Sequence, residues 1–347
     1  MRSSRWIRRL EASALDELAA ALAAARERNL AWPETTRERF PLPTLGRTLA
    51  EVSRELEDGG GLVTLRGLPV GRYSPEELRQ LWFGLGSHLG HPVFQNRRGE
   101  LMREIQDEGR QVGERYGQIP AQGGGTGVLS SYARTLSNGQ LRFHTDRCDV
   151  VGLLCVRQAR SGGVSRLCSS VAVHDEMLRR RPDLCAALYE DVYRTRFGEE
   201  ADGPDTVYPL PIFGVRDGKF TSHYSLTFIE IAQTVPGVPP LSPVQKEAID
   251  CLMALANELA FDTRMEPGDI QLVNNHVIYH ARTAFEDDAG SDQVRLLYRL
   301  WLSVPNSREL SPLMGAIFKD QSSGAVRGGF PSRVDKPVYE TVVSNIN

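Results

Sequence analysis

The run Arg295-Leu296-Leu297-Tyr298-Arg299-Leu300-Trp301-Leu302 alternates strictly. As a strand it sends Arg295, Leu297, Arg299 and Trp301 to one face and Leu296, Tyr298, Leu300 and Leu302 to the other. Each face is apolar enough to demand cover, which calls for a sheet with layers packed on both sides. The two arginines add a second demand. A buried guanidinium is costly without an anion. Four strand positions separate these two by roughly 13 Å, too far to share one carboxylate. Internal Arg–carboxylate bridges would answer that demand, and so would a metal-bound dicarboxylate with one acid group beside the ion and one remote from it.

Candidates to hold such an ion lie upstream. Leu141-Arg142-Phe143-His144-Thr145-Asp146 puts an imidazole and a carboxylate two residues apart, just ahead of the apolar run Val150 to Val156. In an extended strand, side chains at i and i+2 leave the same face, so His144 and Asp146 can reach one point. A further histidine would complete two imidazoles and one carboxylate on one face of a metal, the usual site of non-heme Fe(II) oxygenases. Seven histidines and 44 acidic residues suffice to produce a His-x-acid pair by chance, and His174-Asp175-Glu176 is a second one. It follows Ser169-Ser170 and runs into Pro182, the punctuation of a helix. There, i and i+2 diverge by about 200° and cannot share an ion. His280, in Val277-Ile278-Tyr279-His280-Ala281-Arg282, is the third-ligand candidate, with His276 its local rival behind the turn signal Asn274-Asn275.

The surrounding pattern predicts helices over about 10–29, 45–56, 74–89, 171–188 and 242–259, the first two forming an N-terminal helical part, about 10–58. Strands are expected at 62–69, 141–147, 150–158, 164–168 and 270–279, with short ones in 206–229 and the last at 296–304. From 94 to 140 the pattern breaks down around Gly123-Gly124-Gly125, and this segment reads as a lid ahead of the ligands. With no internal repeat and no clean linker, residues 1–347 read as one domain, mainly β with flanking helices.

Five pieces recur in order: Gly61–Leu68, Phe143–Asp146, Ser161–Ser165, Gly268–Asn275, and His280–Phe285 followed by Arg295 and Arg299. Together they span about residues 60–302. The set resembles the Fe(II)/2-oxoglutarate dioxygenases of the taurine dioxygenase (TauD/TfdA) and clavaminate synthase-like group. The resemblance implies a double-stranded β-helix, or jelly-roll, over about 60–304, with Fe(II) on His144, Asp146 and His280. It implies 2-oxoglutarate chelating that iron through its keto oxygen and C1 carboxylate. The C5 carboxylate would meet Arg295 and the hydroxyl of Ser165, where the family usually has threonine. Arg299 matches a residue nearer metal and substrate. The implied reaction consumes O2, decarboxylates 2-oxoglutarate to succinate and CO2, and oxidises an unactivated C–H of a small molecule, by default to an alcohol. Asp146 argues against a halogenase of this fold, where a small residue replaces the carboxylate.

Composition narrows the partners. A net charge of −3 gives no basic excess for nucleic acid or an anionic membrane. No window of 18 apolar residues appears, and the basic start Met1–Arg9 leads into a stretch with Glu11, Asp16 and Glu17 rather than an apolar core, so neither a spanning segment nor a targeting peptide is expected. Five cysteines, an odd number without Cys-x-x-Cys spacing, fit reduced thiols in a cytoplasm. Gln95, Asn96, Tyr116, Tyr132 and Asn275 are the candidate substrate contacts. A homo-oligomer is neither required nor excluded. Two rivals use the same residues: a zinc hydrolase on the same three ligands, in which the arginine pair has no evident task, and a small-molecule-binding barrel without turnover.

Overall fold

The computed structural model describes residues 6–96, 98–109, 111–119, 128–197 and 207–330. Gly123-Gly124-Gly125, the clearest loop signal of the proposed lid, lies outside them. The core strands are β1 (Ile7–Arg9), β2 (Leu62–Arg66), β3 (His91–Pro92), β4 (Met102–Ile105), β5 (Leu141–His144) and β6 (Val150–Arg157). They continue as β7 (Ser165–Ser169), β8 (Phe261–Thr263), β9 (Ile270–Asn274), β10 (Ile278–Arg282) and β11 (Leu296–Ser303). A seven-stranded sheet runs β1-β2-β9-β6-β11-β3, with β4 also paired to β11. A four-stranded sheet runs β8-β7-β10-β5. All these pairings are antiparallel except β1 with β2.

The alternation read from the sequence decides which side chain faces which layer. Leu300, Leu302 and Tyr298 of β11, with Val63, Leu65, Leu154 and Leu272, pack on the helices Ala12–Glu27, Leu45–Asp58 and Pro75–Leu89. The opposite faces of the large sheet supply Leu62, Val151, Val273 and Trp301, which meet Leu167 and Ile278 of the small sheet. Beyond the small sheet, Phe143, Cys168, Tyr279 and Ala281 pack against the helices Ser170–Arg180 and Pro243–Leu259. The order of layers is therefore helices, large sheet, small sheet, helices. The interior between the sheets holds His144 and His280 on one wall, and Arg299 with Trp301 on the other. Ser74 and Ser242 cap their helices through reciprocal bonds with Glu77 and Gln245, each with proline at the first helical position, as the sequence predicts.

The helix expected over 171–188 is two, Ser170–Arg180 and Pro182–Ala187, because a proline cannot continue the first. His174 lies on the first of these, its Nε2 meeting the Tyr189 hydroxyl at 2.9 Å, remote from the interior. The tail of the 206–229 stretch is helical, Leu226–Ala232. Residues 94–140 are more than a cover: β4 lies within them and is paired along β11. The run 270–279 splits between sheets, β9 in the large one and β10 in the small one, with the crossing at 275–277. All five cysteines are free thiols. Among the described residues no helix is long and apolar enough to cross a membrane.

At Gly152 on β6 an added Cβ would lie 2.8 Å from the Trp82 ring and 3.2 Å from Leu272. Trp82 cannot retreat, being fully buried and bonded through its indole N–H to the Tyr298 carbonyl at 3.0 Å. Gly152→Ala is thus expected to cost about 1–3 kcal/mol, measured as a lower urea midpoint at unchanged slope.

Candidate active site

His144 and His280 are direct cross-strand partners on β5 and β10, which brings their rings to 4.2 Å between centroids. Asp146 lies two residues past the end of β5. Its segment stays extended because Thr145 donates its N–H to the Tyr224 carbonyl at 2.8 Å and accepts the Tyr224 N–H on Oγ1 at 3.0 Å. The three residues offer ligand atoms all within 4.8 Å of one another. Asp146 Oδ1 is 3.8 Å from His144 Nε2, and Oδ2 is 3.8 Å from His280 Nε2.

Electrostatics suits a cation here. His144 Nδ1 lies 2.8 Å from the Arg142 carbonyl, which only accepts, so this nitrogen carries the proton and Nε2 keeps its lone pair. Burial lowers the pKa of His144 despite Asp146 and that carbonyl. Burial, then His144 beside it, pushes His280 down to about 3. Both rings are neutral near pH 7. Burial opposes ionisation of Asp146, yet the Arg299 guanidinium first, and then the Trp301 indole N–H, hold it below the usual carboxylate range. The Trp301 bond is 2.9 Å and the Arg299 Nη1 approach 3.6 Å.

One cavity beside this cluster is bordered by Arg295, Ser165 and Arg299, as the sequence suggests, and also by Arg282 and Gln271, which it did not. Arg295 is 3% exposed, and its Nε and Nη1 have no hydrogen-bond partner among the described residues. Burial pushes its pKa down to about 10, leaving it a cation. The Phe285 ring lies 5.2 Å from the guanidinium carbon, and the charge of Asp287 also favours the cation. Gly163 makes room for it, since a Cβ there would sit 3.1 Å from Arg295 Nε and the residue has a φ of +65°. Arg282 is engaged instead, donating to the carbonyls of Ser137 and Gly139 at 2.7 and 2.5 Å. The Gln271 Nε2 is buried without a partner among the described residues.

Arg299 differs from Arg295. Its Nε donates to Gln95 Oε1 at 2.7 Å, and Gln95 Nε2 returns a bond to the Arg299 carbonyl at 2.8 Å. Gln95 therefore borders a cavity but spends both ends of its amide on Arg299, and is not an open substrate contact. Asn96 also departs from expectation, its Nδ2 held by Glu100 and the Tyr132 hydroxyl. Tyr116 is bonded to Glu108. Asn275 accepts the Asp146 N–H on Oδ1 at 3.0 Å and donates to Cys148 Sγ at 3.2 Å, so it supports the ligand loop from behind. His276 is paired at 2.8 Å with Asp149, which also takes Arg327 at 2.9 Å, and belongs to the anchoring of the C-terminal segment. Tyr132 does border the second cavity, with Ser131, Thr135, Phe228 and His223. Signals for these last residues were absent from the sequence because they come from separate parts of the chain, the helix Ser131–Thr135, the segment carrying His223 and the helix Leu226–Ala232.

Asn275→Ala would strand the buried backbone N–H of Asp146 itself. We expect iron affinity to fall about 10–100-fold, read by anaerobic Fe(II) titration, with the fold intact by circular dichroism.

A family model described as "Taurine catabolism dioxygenase TauD, TfdA family" matches residues 28–301. FR-33289 synthase of Streptomyces rubellomurinus is 30% identical over 311 residues, covering 88% of each chain. The taurine hydroxylase-like protein SAT17 of Stachybotrys chartarum is 32% identical over 296 residues, 82% of this chain and 71% of that one. Among solved structures, asparagine oxygenase with Fe(II), 2S,3S-3-hydroxyasparagine and succinate superposes with a TM-score of 0.65 at 20% identity, covering 86% of this chain and 94% of that chain. The non-heme iron oxygenase OrfP with Fe and alpha-ketoglutaric acid gives 0.61 at 15% identity, with 86% and 94% covered.

Proposed function

Since this chain belongs to the TauD/TfdA family, it is an Fe(II)/2-oxoglutarate-dependent oxygenase using O2, and we propose that it hydroxylates an unactivated C–H of a small-molecule substrate at the His144–Asp146–His280 cluster. The two facing sheets are, in this reading, the halves of a double-stranded β-helix. The residues fit the iron: one ionised carboxylate and two neutral imidazoles, three protein donors that leave coordination positions open. They fit the cosubstrate as well. The observation that carries the proposal is Arg295, a buried cation with two unpartnered N–H groups bordering the same cavity as the three donors.

The iron, when bound, supplies O2 activation coupled to decarboxylation of 2-oxoglutarate. The protein's part is to orient and exclude. Arg295, with the Ser165 hydroxyl, fixes the distal carboxylate of 2-oxoglutarate, which turns the keto-acid end toward His144, Asp146 and His280. Arg299, tethered by Gln95, keeps Asp146 ionised. Trp301 holds one Asp146 oxygen and closes that side with apolar surface. Leu153, Leu297 and Val151 line the remaining wall and keep bulk water from the cosubstrate. Hydroxylation of a small molecule also accords with the products held by the structural neighbours, 3-hydroxyasparagine beside succinate and (3S)-hydroxy-L-Arg beside succinate.

Oxygen uptake and succinate release, measured with Fe(II), 2-oxoglutarate and a metabolite panel, test the reading. It predicts equimolar succinate and hydroxylated product with the right substrate. Zinc-supported hydrolysis without oxygen uptake would contradict it, as would iron and 2-oxoglutarate binding with no turnover of either.

A further inference from the structure

We propose that His223 is a binding residue for the primary substrate, donating a hydrogen bond from Nε2–H to an oxyanion that the substrate carries. The inference rests on the oxygenase reading, because the cavity concerned shares His144, Asp146 and Arg299 with the cosubstrate side but excludes Arg295. His223 borders it and is 4% exposed.

The tautomer follows from its neighbour. Arg194, fully buried, puts Nη1 2.7 Å from His223 Nδ1 and donates Nη2 to the carbonyls of Leu210 and Pro211. A guanidinium only donates, and burial pushing Arg194 down to about 10 still leaves it charged. Nδ1 must therefore accept, and the single proton of a neutral ring lies on Nε2. Burial, and then Arg194, hold the His223 pKa well below its ordinary value, so the ring stays neutral.

That Nε2–H has no partner among the described residues. An unpaired buried donor is costly, and it is retained here in a rigid frame. The backbone on either side is fixed: His223 N–H donates to the Ile212 carbonyl at 2.9 Å, Ser222 N–H to that of His276 at 2.9 Å, and Ser225 bridges His144 itself. The donor is thus registered to the metal-side residues rather than to a loop of its own. The partner must be an acceptor. The Arg194 cation that donates to Nδ1 polarises the ring and puts positive charge directly behind Nε2–H. An acceptor with negative charge matches that donor, and an ammonium group does not.

The test uses full-length protein with 15N-labelled histidine, saturated with 2-oxoglutarate and with Zn(II) replacing Fe(II) to avoid paramagnetic broadening. Long-range 1H–15N spectra are followed while acetate, methylphosphonate or methylammonium is added. His223 is expected as the neutral Nε2–H tautomer. One or both anions should move its Nε2 resonance to saturation, acetate alone marking a carboxylate and methylphosphonate alone a tetrahedral oxyanion, and methylammonium should not. His223→Ala should weaken the responding anion at least about tenfold. His223→Gln, which keeps an N–H near the same position, should restore most of that loss, with 2-oxoglutarate affinity unchanged in both. An Nδ1–H ring, an imidazolium, silence toward both anions, a response to methylammonium, or unaltered anion binding in His223→Ala would each overturn the proposal. The wild-type spectra decide it even if a variant fails to fold. Failure of the wild-type protein to bind 2-oxoglutarate with metal would instead contradict the oxygenase reading, whereas intact 2-oxoglutarate binding with a silent His223 contradicts this inference alone.

Discussion

Asp146→Asn is expected to give a folded protein that forms no succinate above background and binds Fe(II) more than ~100-fold more weakly, since losing a partner merely outside the coordination shell already costs about 10–100-fold. The substitution is nearly isosteric. Its amide oxygen can still accept the Trp301 indole N–H, which sits 2.9 Å from Oδ2 of the acid, and the backbone N–H can still donate to Asn275. What disappears is the negative charge that two neutral imidazoles do not supply. The same charge lies 3.6 Å from Arg299, so its loss also leaves that guanidinium with Gln95 as its main support. Anaerobic Fe(II) titration with circular dichroism separates the two effects. Turnover near the wild-type level would count against Asp146 as a ligand.

Arg295→Met carries the second large effect, and its two parts have opposite signs. Without 2-oxoglutarate the wild-type protein holds a buried cation with Nε and Nη1 unpaired. An apolar chain of similar length removes that cost, so the ligand-free variant should be the more stable. A gain of ~1 kcal/mol would raise Tm by roughly 1–2 °C in a chain of this length. With 2-oxoglutarate the order reverses. Deleting one member of a buried charge pair costs about 2–5 kcal/mol, so the apparent constant for 2-oxoglutarate should rise on the order of 100-fold or more. The protection that wild type gains at 100 times its dissociation constant, about 2.7 kcal/mol, should vanish from the variant's melting curve. The constant for the primary substrate should move far less. If only that second constant suffers, Arg295 belongs to the substrate pocket.

The parts of this site that lie within one strand were legible in the sequence. Alternation over 295–302 assigned the two faces of β11 correctly, and the i, i+2 spacing of His144 and Asp146 survives although the strand ends at His144. Choosing His280 over His276 was also within reach, because Asn274-Asn275 announced the turn that carries His276 elsewhere. What could not be read was pairing across long separations. Nothing near Gln95 in the chain reveals that it satisfies Arg299, 204 residues away. That pairing is what distinguishes the occupied arginine from the unpartnered one. Asn275 looked like a pocket residue because a polar side chain at a strand mouth is ambiguous until its partners are known, and both of its partners lie near residue 147. The short strand Met102–Ile105 was hidden for a related reason. Its middle residues are charged, and Arg103 is buried only because Glu100 and Glu108 close on it at 2.8 and 3.1 Å. Local polarity there signals a neutralised interior cluster rather than solvent. His223 carries no signal in the sequence, since its meaning depends on Arg194 fixing its tautomer.

A crystal structure of the protein with Fe(II) and 2-oxoglutarate, grown without oxygen, addresses the central claim most directly. The expected result is one iron bound by His144 Nε2, Asp146 and His280 Nε2, with the far carboxylate of 2-oxoglutarate on Arg295 and Ser165. Iron bound elsewhere, or that carboxylate seated on Arg299 with Arg295 still unpaired, would contradict it.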